Sequence, residues 1–142
     1  STDQIFRHAE DYLKKQADKL GQILGFVLAK LLKIKTENNF SIKLMDVLEN
    51  FEKEQGLNIE NCIKFSDEEF INQLLHNNIT IENFESFAEI LYEIGILNEN
   101  SRDKLNYLNK AKLLFELTNN LSTTYSLQAK IKLNEINKLL NK

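Results

Sequence analysis

Not one proline interrupts the 142 residues of this chain, and only four glycines do. Proline is the strongest helix breaker, because it lacks the backbone donor and clashes with the preceding turn. Without it the chain is free to run in long helices joined by polar turns. Leu, Ile, Lys, Glu and Asn fill most positions, and the alternating Val/Thr runs of strands are missing. The expected fold is all-α: six to seven antiparallel helices, with a long N-terminal helix packed against a helical array. A hydrophobic fraction of 42% beside 27% charged residues is that of a globular chain, not a disordered one. At this length residues 1–142 form one domain that buries roughly two-thirds of its unfolded surface, with no need of a disulfide or metal staple.

Residues 3 to about 35 read as one helix, opened by Thr2 or Asp3 as N-cap. Ile5, Ala9, Tyr12, Leu13, Gln16, Leu20 and Ile23 follow three-and-four spacing along its first half. The second half, Leu20 to Ile34, is apolar nearly all round. Such a helix must be covered on every side, so this segment is expected at the centre of the fold or in the seam of an oligomer. A loop at 36–39 leads to a helix over about 40–55 that ends at Gly56. Leu57 to Phe65 forms one or two turns, and Ser66-Asp67-Glu68-Glu69 is a capping box opening a ten-residue helix that stops at Asn77-Asn78. The next helix runs from Thr80 or Ile81 to Leu97. Two more, about 102–119 and 123–141, are parted by Asn119 to Ser122.

Charge is distributed by segment. Residues 1–36 carry +3, residues 46–93 carry −10, and residues 94–142 carry +4, from the Asp, Glu, Lys and Arg in each. Oppositely charged helices packed side by side explain this most simply, and a partner-steering surface comes second. No segment concentrates bases with interleaved aromatics, so nucleic acid is not an expected partner. Lys14, Lys15, Lys19, Lys30, Lys33 and Lys35 flank the first helix, but interspersed acids make them an ordinary solvated edge rather than a membrane-binding face. The longest uncharged apolar run, Ile23 to Ala29, is closed by Lys30, far short of the ~20 residues of a membrane span. The lone Cys62 excludes an internal disulfide and fits a reducing compartment, so a cytoplasmic location is expected. Its apolar neighbours mark it as a small core residue rather than a reactive thiol.

Four small residues, Ala17, Gly21, Gly25 and Ala29, recur every fourth position on one face of the first helix. Each interior glycine costs roughly 1 kcal/mol of helix propensity against alanine. Close approach of another helix would offset that, either within the chain or across a homodimer. Glu82, Glu85, Glu89 and Glu93 form an acidic stripe, read either as partner-facing or as a solvated face pairing loosely with lysines nearby. His8 and His76 are the only histidines, and His8 has Asp11 and Tyr12 one turn on. No HExxH, CxxC, nucleophile elbow or Gly-rich phosphate loop appears. Neither catalytic residues, a metal site nor a cofactor is therefore expected.

Two stretches carry resemblances. Asp11-Tyr12-x3-Gln16-x3-Leu20-Gly21-x2-Leu24 resembles the start of a family of short bacterial all-helical proteins of uncharacterised role. From Phe84 to about Leu121 the chain resembles a degenerate tetratricopeptide hairpin. Phe84, Phe87, Ala88, Leu91 and Gly95 sit at the first helix's packing positions, and Leu108 and Ala111 at the second's. On that resemblance residues from about 80 to 141 form tetratricopeptide-like helices, which implies a protein-interaction scaffold by fold-level analogy. The expected function is thus a non-enzymatic protein–protein interaction module, with a homodimer through the first helix in view. The alternative is an enzyme or small-ligand binder using an inter-helix pocket near His8 and Tyr12 or near His76.

Overall fold

A computed structural model describes residues 1–121 and 125–141. Seven helices make up the described chain: α1 (Thr2–Ile34), α2 (Phe40–Gln55), α3 (Ile59–Cys62), α4 (Asp67–His76), α5 (Ile81–Leu97), α6 (Ser101–Leu121) and α7 (Leu127–Leu140). The all-α expectation holds, and no strand occurs among the described residues. The expected start of the last helix, near residue 123, lies outside them.

Local chemistry explains most helix ends. Ser1, not Thr2 or Asp3, caps α1: its hydroxyl accepts from the Gln4 N–H at 3.3 Å, and the Gln4 side chain reaches back to complete a capping box. At α4 the box is half made. The Ser66 hydroxyl accepts from the Glu69 N–H at 3.2 Å, but the Glu69 carboxylate accepts from Gln73 instead. Gly56 ends α2 in the left-handed region at φ 78°, where an L side chain would be strained. Asn78 takes the same region at φ 64° after α4, and asparagine tolerates it better than most.

The centre of the fold belongs to α5 rather than α1. From Asn83 to Gly95, ten of thirteen positions are buried. α5 packs most extensively against α6, then against α1, while α7 lies on α6 and α2 on α1. Phe87 of α5 stacks on Phe51 of α2 with ring centroids 6.2 Å apart, which ties α2 to the core. α5 and α6 form an antiparallel hairpin across a short turn. At Gly95 a Cβ atom would lie 3.1 Å from Tyr107 Cβ and 3.2 Å from Leu108 Cδ2, so the two helices meet almost backbone to side chain there.

α1 is covered on one side only. Leu20, Leu24, Leu31 and Ile34 are buried, whereas Phe26 is 70% exposed and Leu32 is also open. Upstream of Ala17 every residue of α1 is exposed. Some fifteen residues, about 22 Å of helix at 1.5 Å per residue, therefore stand out from the body. The second half of α1 is apolar all round without being enclosed all round.

Candidate functional site

The small-residue row on α1 divides in two. Ala17 and Gly21 are half-buried against the start of α5, where the buried Asn83 donates its Nδ2–H to the Ala17 carbonyl at 3.2 Å. A Cβ on Gly21 would sit 3.3 Å from Asn83 Oδ1, so the small side chains give Asn83 access to the helix backbone. Gly25 and Ala29 have turned to solvent, and nothing lies within 4 Å of a Cβ placed on Gly25. Within one chain only the first half of the row is a packing surface.

The acidic stripe is largely covered. Glu82 is exposed, Glu85 and Glu89 are half-buried, and Glu93 is 7% exposed. Residues far along the chain cover them: the Ser126 hydroxyl donates to Glu85, and Lys35 Nζ lies 3.7 Å from Glu93 Oε2, an oxygen with no hydrogen-bond donor of its own. On the same side Tyr92 donates to Glu135 of α7 at 2.9 Å, and Lys132 sits 4.3 Å above the Tyr92 ring. Burial and the Glu135 carboxylate together push the Tyr92 phenol up to about 12. The stripe is thus graded, from the exposed Glu82 through the half-buried Glu85 and Glu89 to the buried Glu93 beside Lys35. The Thr80 hydroxyl partner of Glu82 holds that carboxyl below the usual range, so it is ionised at neutral pH.

Glu89 offers a direct test of this placement. Burial raises its carboxyl above the usual carboxylate value, with Glu85 adding to the rise, Lys132 opposing it and Glu93 adding again. A carboxyl raised on folding weakens the fold while it is ionised, and that penalty disappears as pH falls through the raised value towards the unfolded value of about 4.3. Glu89→Gln is therefore expected to melt at a higher temperature than the parent at pH 7, with the gain shrinking as the pH is lowered to about 4. Thermal denaturation of both chains across that range checks it, and equal melting temperatures at pH 7 would count against a covered stripe.

Beside α1 lies a cleft of about 1460 Å³ bounded by α1, α4, the start of α5 and the end of α6. Leu13, Ile71, Leu75, Leu113, Leu117 and Leu121 supply much of its apolar lining. Its rim is acidic, with Glu10, Asp18, Asp67, Glu68 and Glu82 against a single base, Lys14. Asp67 is partly neutralised from below. Lys110 is buried along its length, lies 5.6 Å from the Phe70 ring centroid and delivers its ammonium to Asp67 Oδ1 at 2.7 Å. Neither Asn83 nor Lys110 stood out in the sequence, because an isolated polar residue inside a helix carries no signal of what it will meet.

The polar groups of the alternative reading do not converge. Tyr12 borders the cleft, but His8 and His76 are exposed and lie outside its lining. A second opening, of about 210 Å³ near Asp103 and Tyr107, is below the ~300 Å³ of an ordinary ligand site. Cys62 is buried, and its thiol donates to the Ile59 carbonyl at 3.3 Å. Burial pushes it up to about 12, far from a reactive thiolate. Among the described residues no group of three His, Cys, Asp or Glu side chains is placed to hold a metal ion, and no helix is long and apolar enough to cross a membrane. No protein-family model matches the chain, and neither a curated protein nor a solved structure matches it.

Proposed function

We propose that this chain is a non-enzymatic protein–protein interaction module that receives an amphipathic helix in the cleft beside α1. One observation carries the proposal: an apolar cleft of about 1460 Å³ stands open between helices, against the roughly 300–1,000 Å³ of small-molecule sites. Helix-in-groove recognition needs an apolar floor for side chains at one face of the incoming helix, with charge at the edges for selectivity. Leucines and Ile71 supply the floor, and the carboxylates around it favour a helix with basic flanks. Only Glu82 of the α5 stripe takes part. The α5–α6 hairpin, closed at Gly95, is in keeping with a tetratricopeptide-like scaffold behind the cleft.

A synthetic Leu/Lys amphipathic helix of about 18 residues, roughly five turns, is the probe. Titration followed by calorimetry is expected to show saturable binding, with hydrogen exchange slowed in the first half of α1 and in α4. Leu75→Glu with Leu117→Glu should weaken binding at least tenfold while helix content is kept. Absence of saturable binding up to about 1 mM, a free energy near −4 kcal/mol, would end the proposal.

A further inference from the structure

We propose that the occupant of the cleft is a second copy of this chain, whose projecting first half of α1 enters it reciprocally about a two-fold axis. The proposal rests on the interaction reading above and names its partner. Phe6, Leu13, Leu20, Val27 and Ile34 recur at intervals of seven and so form one row along α1. Leu20 and Ile34 of that row are buried and Val27 is half-buried in the body, whereas Phe6 and Leu13 are bare. The packing row continues past the point where the chain's own helices stop covering it.

Area and stability both call for a cover of this size. Ile5, Phe6, Tyr12 and Leu13 are each 62–68% exposed. At roughly 200 Å² for a fully exposed large side chain they present about 500 Å². Leu75 and Leu121 of the cleft, 49% and 66% exposed, bring the total close to the ~800 Å² per partner of a stable interface. An unsupported helix of about fifteen residues is marginal in water, so the projecting half gains most from being seated.

One molecule carries both the apolar helix and the apolar cleft, which is the self-complementarity an isologous dimer requires. In an antiparallel crossing centred on Leu13, Ile5 of one copy comes opposite Gly21 of the other and Ala9 opposite Ala17, both on the cleft wall, where small residues occupy least room. The first half of α1 is neutral, with Arg7, Lys14, Lys15 and Lys19 against Asp3, Glu10, Asp11 and Asp18, so it meets the acidic rim without net repulsion.

Sedimentation equilibrium of the full chain, up to about 1 mM, is expected to show a concentration-dependent species of twice 16.6 kDa. Phe6→Glu and Leu75→Glu should each raise its dissociation constant at least tenfold with the cooperative melting of the body kept, since both residues are exposed in the single chain. Leu13→Cys, which lies on the two-fold axis of that crossing, should give a disulfide between copies under mild oxidation, the native Cys62 being buried. A chain that stays monomeric throughout, or a dimer indifferent to Phe6→Glu, overturns the proposal. If the chain is monomeric and the Leu/Lys helix still binds, the partner is a foreign helix and the interaction reading stands. If neither associates, both fall.

Discussion

Phe87→Ala is expected to lower stability by about 3–5 kcal/mol, the usual loss for a buried phenylalanine. The ring is fully buried in the middle of α5 and stacks on Phe51 of α2. Its removal takes away the stack on Phe51 and leaves a fully enclosed space in the core. A domain of this size has only about 5–15 kcal/mol in all, and the loss corresponds to a fall in melting temperature of roughly 10–20 °C. Urea denaturation followed by circular dichroism measures it directly. A loss below about 1.5 kcal/mol would show that the α2–α5 seam collapses easily and that α5 is not the centre of the core.

That centre was poorly legible in the sequence, and the reason is physical. Periodicity reports which side of a helix is apolar, but it does not report what lies against that side. α5 reads as a half-solvated amphipath because Glu82, Glu85, Glu89 and Glu93 recur along it. Ser126 and Lys35, which cover Glu85 and Glu93, lie 41 and 58 positions away in the chain, beyond the reach of any local pattern. Conversely, α1 has the apolar content of an enclosed helix yet leaves Phe26 and the whole of its first half in solvent.

Local features were easier to read. Gly56 ends α2, Ser66 caps α4, and the α5–α6 turn falls at Asn98 to Asn100, each through chemistry contained within a few residues. The cleft belongs to the opposite class. Its walls come from four helices, and its rim carboxylates, taken singly, are ordinary first-turn residues of α4 and α5 or solvated residues of α1. Only in the folded chain do they converge around an apolar floor. The negative segment at 46–93 anticipated the sign of that rim but not its place.

The two helical glycines facing opposite environments provide the sharper contrast. Gly95→Leu is expected to lower stability by about 3 kcal/mol, the upper end of the ordinary cost of overpacking. The clash begins at Cβ, against Tyr107 Cβ and the Leu108 side chain, so no choice of rotamer at position 95 relieves it. Separating α5 from α6 would in turn open the most extensive contact in the molecule. Gly25→Leu is expected to do the reverse, raising stability by up to about 1 kcal/mol through helix propensity alone, because its Cβ enters open space. The regular spacing of Ala17, Gly21, Gly25 and Ala29 suggested that Gly25 was the constrained position, whereas Gly95 stands alone as a small residue in its helix turn. Melting temperatures of the two variants decide between spacing and contact. If Gly25→Leu is the destabilised one, the open face of α1 is closed by a packing partner that the single chain does not contain, and the row of small residues regains its role.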